Sequence, residues 1–164
     1  MKVLITGGTG YIGSHCAVRL LEKNFEVVLL DNLSNSRISV GKKIQEITNK
    51  EISFFKGEIN DNQILKKIFS SHKIDFVLHC AGLKAVGESV LKPNEYKENN
   101  VEGTKSLLSV MQKHDVFKLI FSSSASVYGN PKYHPIDEIH PLNPSNPYAL
   151  SKVKIEEILK KLST

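Results

Sequence analysis

The stretch KVLITGGTGYIGSH, Lys2 to His15, decides how the rest of the chain is read. A strand-like run, Lys2 to Thr6, meets a cluster of glycines, and the glycines lead into a segment of helical spacing. Gly8, Gly10 and Gly13 satisfy G-x-G-x-x-G, while Gly7, Gly10 and Gly13 satisfy the wider G-x-x-G-x-x-G. Glycines so placed let the backbone turn tightly and approach a pyrophosphate with no Cβ in the way. A helix opening there presents free N–H groups and a partial positive charge to an anion. Glycine spacing alone fits any tight turn; the strand before it and the helix after it are what a dinucleotide site requires.

Working outward, short β-branched runs alternate with longer helical periods. EVVLL (26–30), ISFFKG (52–57), DFVLHCA (75–81) and KLIFSSS (118–124) read as further strands. Continuous apolar runs of this length suit strands covered on both faces. Ile12, Cys16, Ala17, Leu20 and Leu21 recur at helical spacing, and further helices are expected over about 39–49, 61–71, 94–114 and 146–162. Such alternation predicts an α/β fold: a Rossmann-like, doubly wound parallel sheet of about five strands with helices on both faces. Asp31 closes the second strand, 18 residues after Gly13. A carboxylate there accepts hydrogen bonds from an adenosine ribose and repels a 2′-phosphate, so the expected cofactor is NAD, not NADP.

Composition bounds the alternatives. The 164 residues suit one domain, 1–164, with 40% hydrophobic and 24% charged residues. No apolar run approaches the roughly 20 residues of a membrane span, and MKVLITGG does not resemble a secretory signal, so the expected location is cytoplasmic. The formal charge of +5 comes from lysines spread along polar helix faces, with no nucleic-acid motif. Cys16 and Cys80 lack metal-ligand spacing and are expected as small buried hydrophobes; no metal site is expected. His79, ending a buried strand, is expected as a hydrogen-bonded core residue.

The segment NPKYHPIDEIHPLNPSNP (130–147) carries five prolines and is expected as a loop. It delivers the chain to NPYALSK, where Tyr148 and Lys152 fall four residues apart on one helix face. A free phenol titrates near 10 and is a poor base at neutral pH. An ammonium about 4 Å from such an oxygen contributes about 4 kcal/mol at an effective dielectric near 20, enough to bring the phenolate within reach. A phenolate beside a nicotinamide can take a hydroxyl proton as hydride leaves carbon. Ser122, Ser123 and Ser124 follow the fifth strand, at the sheet end where ligands bind, and a serine hydroxyl there can orient the substrate proton.

Taken together, VLITGGTGYIGSH, LLDNLSNS, HCAGLKAVGESV, NNVEGT, FSSSASVYG and NPYALSK resemble the extended short-chain dehydrogenase/reductase superfamily and, within it, the UDP-glucose 4-epimerase family. The motifs run in order from residue 3 to residue 152. The resemblance implies an NAD-dependent isomerase that interconverts UDP-galactose and UDP-glucose through a 4-keto sugar. It also implies a UDP-sugar substrate and a homodimer, with neither nucleic acid nor membrane as partner. By the same resemblance Tyr148 is the base, Lys152 holds the nicotinamide ribose and tunes Tyr148, and Ser124 contacts substrate and Tyr148, with Lys84 also on the substrate side. Gly7, Gly10, Tyr11, Ile12, Gly13, Asp31, Asn32, Asn35, Ser36, Glu58, Ile59, Cys80, Ala81, Gly82, Lys84, Asn99 and Ser122 are implied cofactor contacts.

Three departures stand out. Glu58 occupies a place where the family usually has aspartate, Cys80 replaces a bulkier residue, and family members continue for about as long again beyond the length seen here. The expectation is therefore a cofactor-binding half without the substrate domain, inactive by itself or serving as an NAD-binding module. SSSAS after the fifth strand has no carboxylate, which disfavours the water elimination of 4,6-dehydratases. An epimerase of another nucleotide sugar remains the neighbouring expectation.

Overall fold

A computed structural model describes residues 1–163. The elements begin with β1 (Lys2–Thr6), α1 (Tyr11–Glu22), β2 (Glu26–Asp31), α2 (Ser39–Thr48), β3 (Ser53–Lys56) and α3 (Asn62–Ser71). There follow β4 (Phe76–His79), α4 (Val86–Leu91), α5 (Pro93–Tyr96), a π-helical stretch (Lys97–Glu102) and α6 (Gly103–Lys113). The chain closes with β5 (Leu119–Phe121), a 3-10 turn (Ala125–Tyr128) and α7 (Pro147–Leu162). Two compact bodies result, one of Met1–Ala81 with Lys105–Ser122, the other of Gly82–Thr104 with the chain from Ser123 onward.

The first body holds all five strands in one parallel sheet of order β3-β2-β1-β4-β5. Alternation along β1 divides the core: Val3 and Ile5 pack with Ala17 and Leu21 of α1 and Ile44 of α2. Leu4 points the other way, into Leu65, Ile68 and Phe69 of α3 and Leu107, Val110 and Met111 of α6. Each fully buried leucine or isoleucine stabilises by roughly 1.5–3 kcal/mol, so both faces drive the same sheet. Thr6 pairs with Leu30 on one side and His79 on the other, which levels the carboxyl ends of β1, β2 and β4. The winding reverses beside β1, the switch point at which open α/β sheets bind ligands. The doubly wound Rossmann-like sheet expected from the sequence is the one observed.

Helix ends follow local chemistry. Asp61 caps α3 by accepting from Gln63 N (2.8 Å) and Ile64 N (3.2 Å). Asn24, Asn49 and Asp115, in the left-handed region, carry the chain out of α1, α2 and α6, a role short polar side chains fill when glycine does not.

The chain departs from the expected single helix over 94–114. The path is helical from Pro93 to Lys113, but Lys97–Glu102 widens into a π turn, and α4 is an additional short helix. Asn100 sits in the widened turn, 1% exposed, its side chain turned to the backbone of Leu83. Periodicity counts apolar positions and is blind to such a polar anchor. The proline-rich segment is a loop, as expected, and its neck is narrow: Asn143 N donates to Val127 O (3.0 Å). Gly129 lies there at φ +60°, and a Cβ on it would stand 2.0 Å from Asn143 O.

Candidate functional site

In the first body the glycine turn forms between β1 and α1. Gly7 takes φ +66°, and its N–H donates to Leu30 O at 2.8 Å, which hangs the turn on β2. A Cβ on Gly13 would lie 2.2 Å from Gly7 O, so no other residue fits there. Gly8 serves a different purpose, because a Cβ on it would stand 2.7 Å from Leu29 Cδ2 of the core. Gly10 caps α1 with no side-chain cap, and the first turn carries no acidic residue. The opening N–H groups of α1 thus have no protein acceptor from their own helix. Tyr11 and Ile12 flank the turn as exposed side chains, 77% and 53% accessible.

Asp31 is 7% exposed at the end of β2. Its Oδ2 accepts from Thr9 N at 3.0 Å, and its Oδ1 accepts from Leu33 N and the Ser36 hydroxyl, both at 2.9 Å. Thr9 and Ser36 hydroxyls lie 2.8 Å apart. The carboxylate therefore ties the glycine turn to the loop after β2. With about four acceptor positions and three used, it keeps capacity for one more donor. Asn32 Nδ2 donates to both oxygens of Glu58, at 3.1 and 3.0 Å, so the longer side chain of Glu58 is occupied by a neighbour. Asn35 is exposed, and Ile59 is committed to the hydrophobic core at 4% exposure.

Across the sheet, Cys80 N donates to Thr6 O at 3.0 Å and Ser122 N to His79 O at 3.0 Å. A Cβ on Gly7 would meet Ala81 N at 2.8 Å, so the Cys80–Ala81 backbone lies directly on the glycine turn. His79 is a hydrogen-bonded core residue, as expected, with Nδ1 2.6 Å from Thr6 Oγ1. Neither Cys16 nor Cys80 is in a disulfide, and both are only half-buried, against the expectation of buried side chains. Each lies close to a sheet end or an outer helix face rather than deep in either apolar cluster.

The second body carries Tyr148 and Lys152. Asn146 caps α7 by accepting from Ala149 N (2.8 Å), and Pro147 supplies its first turn. Tyr148 is half-buried; Lys152, one turn on, is 5% exposed with Nζ 5.9 Å from the Tyr148 ring centroid. Ser124 starts the 3-10 turn, its hydroxyl 2.8 Å from that of Ser126. The 3-10 turn packs against α7. Lys84 is exposed, Gly82 takes φ +157°, and Asn99 is half-buried within the π turn.

Four residues outside the sequence expectation organise these parts. Thr9 holds Asp31. Asn100 donates to Leu83 O (2.9 Å) and Ser151 Oγ (3.0 Å), and Ser151 donates to Tyr148 O (2.7 Å). The loop that bears Lys84 is thereby joined to the turn that bears Tyr148. Ser123 donates to Glu156, which follows Lys152 by one turn. The row Tyr148, Lys152, Glu156 at successive intervals of four was a visible signal; the Asn100 bonds had none, being side chain to distant backbone.

Among the described residues no group of metal-binding side chains occurs and no helix is long and apolar enough to cross a membrane. The family model described as GDP-mannose 4,6 dehydratase matches residues 4–164. A UDP-glucose 4-epimerase of Yersinia enterocolitica is 52% identical over 99% of this chain and 49% of its own length. The crystal structure of UDP-glucose 4-epimerase from Bifidobacterium longum, in complex with NAD+ and UDP, superposes with a TM-score of 0.97 at 45% identity, covering 99% of this chain and 49% of that one. The enzyme from Stenotrophomonas maltophila, with bound NAD and formylated UDP-arabinopyranose, gives a TM-score of 0.96 at 42% identity, covering 99% and 48%. The chain spans about half the length of the curated relatives it matches. With motif order, sheet topology and a family match through almost every residue in agreement, the chain belongs to the GDP-mannose 4,6 dehydratase family, among relatives that are UDP-glucose 4-epimerases.

Proposed function

We propose that this chain is the cofactor-binding and proton-transfer part of a cytosolic, NAD-dependent UDP-glucose 4-epimerase. The observation that carries the reading is the buried Lys152 ammonium over the Tyr148 ring, on a helix launched by Asn146 and Pro147. The first body fits a dinucleotide: a side-chain-free turn at Gly7, Gly10 and Gly13, uncapped N–H groups at α1, and an acceptor at Asp31.

NAD, when bound, would supply a reversible hydride acceptor for the sugar C4, with no net redox change over a turnover. The residues of this chain handle the proton. Tyr148 accepts the C4 hydroxyl proton and later gives it back, so the proton balance closes over a turnover. Lys152 places a positive charge beside the Tyr148 ring. Ser124 orients the substrate hydroxyl, and Asp31 reads the adenosine ribose. The 4-epimerase reading is favoured over 4,6-dehydratase chemistry because Ser122 to Ser126 offers hydroxyls and no carboxylate. Val90 and Leu91, exposed on α4, are apolar surface that a second copy of the chain would cover in a homodimer.

The experiment is conversion of UDP-galactose to UDP-glucose by the full protein carrying this sequence, with NAD retention followed by absorbance. Conversion with Tyr148 intact and its loss in Tyr148→Phe supports the reading. Full turnover in Tyr148→Phe would remove it. The 164 residues alone are expected to bind NAD while turning over far more slowly than full-length relatives, because the relatives are about twice as long.

A further inference from the structure

A histidine inside a parallel sheet asks for an explanation. At 1% exposure His79 has surrendered the solvation of two ring nitrogens, which costs free energy unless they are bonded. Leucine or phenylalanine would fill the place in β4 with no such penalty. His79 Nδ1 lies 2.6 Å from Thr6 Oγ1, and Thr6 Oγ1 in turn accepts from Ala81 N at 3.3 Å. Thr6 is 0% exposed, the last residue of β1 and the neighbour of Gly7.

The imidazole thus holds the Thr6 hydroxyl in one rotor, with a lone pair kept toward Ala81. Ala81 is where the β4 exit lies on the glycine turn: a Cβ on Gly7 would stand 2.8 Å from Ala81 N and 2.9 Å from the Cys80 carbonyl carbon. Two ladders already fix the strands, through Cys80 N to Thr6 O and Gly7 N to Leu30 O. Beyond them, the backbone of Ala81 is held to β1 by the Thr6 hydroxyl.

We propose that His79 is a positioning residue for the dinucleotide, acting through Thr6 to set how closely the Cys80–Ala81 backbone lies on the Gly7 turn. The proposal rests on the reading that this turn binds NAD. His79 itself need not touch the cofactor; its effect is on the separation of two backbone segments that would.

The test is NAD titration of the 164-residue chain, with thermal melting in parallel. His79→Phe keeps a ring beside Phe121, now 5.6 Å from the imidazole centroid, but removes the nitrogen. It is expected to weaken NAD binding about tenfold, the equivalent of about 1.4 kcal/mol. His79→Asn can present either an acceptor or a donor near the Nδ1 position and is expected to restore affinity to within about threefold of the unaltered chain. Thr6→Val should match His79→Phe, and the double variant should be no weaker than either alone, the mark of two groups acting as one. Should His79→Phe not fold, Thr6→Val against Thr6→Ser carries the same comparison. Unchanged affinity in His79→Phe, an Asn variant as weak as Phe, or fully additive losses would each overturn the proposal. An unaltered chain that binds no NAD would instead sink the dinucleotide reading, and this inference with it.

Discussion

Lys152 Nζ stands 5.9 Å from the centre of the Tyr148 ring, one turn further along α7. The relationship is set within a single helix rather than between loops. In the full protein, Tyr148→Phe is expected to lower turnover about 10²–10⁴-fold, the span of general acid–base contributions, and to leave NAD affinity within about twofold. Stopped-flow turnover and an NAD titration on the same variant check both halves.

Asp31→Ala removes the acceptor of Thr9 N and of the Ser36 hydroxyl as well as the proposed ribose partner. NAD affinity should fall by about tenfold or more, since hydrogen bonds to charged groups contribute about 1.5–3 kcal/mol each. Preference for NAD over NADP should shrink. Competition of the two cofactors by calorimetry reads both effects; an unchanged preference would show that the ribose is recognised elsewhere.

Gly13→Ala places a methyl 2.2 Å from Gly7 O, a backbone atom that cannot step aside. The glycine turn should open, NAD binding should become undetectable, and the melting temperature should fall. Gly87→Ala is the matched control, because a Cβ there meets nothing within 4 Å.

Leu4→Ala hollows the cluster shared by α3 and α6 and should cost about 2–5 kcal/mol by urea unfolding, the range for large-to-small changes in a closed core.

Tyr96 gives a prediction in alkaline solution. Burial, then the hydrogen bond and charge of Glu88, push its phenol up to about 12. The folded state holds this proton more tightly than the unfolded chain. Its contribution to stability is therefore complete below the ordinary tyrosine value of about 10 and disappears as pH rises through about 12. Melting curves between those limits should show a steeper loss for the unaltered chain than for Tyr96→Phe.

Much of this was legible in the sequence. The sheet followed from Val3, Leu4 and Ile5 reading as a strand buried on both sides, and the glycine turn from its place between that strand and α1. The Tyr148–Lys152 pair followed from helical spacing after Pro147. What escaped were side chains that bond to distant backbone. Asn100 reaches Leu83 and Ser151 across 17 and 51 positions, and no periodicity encodes that. The π turn escaped with it, since its widening serves a polar anchor and leaves the apolar pattern intact. Cys16 and Cys80 were misjudged because a small apolar residue at a strand or helix edge has the same pattern as one at the centre.

The narrow neck between Gly129 and Asn143 decouples two lengths. The thirteen residues that separate them form a loop whose two stems are joined by the bond from Asn143 N to Val127 O, ahead of the cap at Asn146. Insertions or exchanges of that segment would lengthen a closed loop at small entropic expense and leave the first turn of α7 where it is.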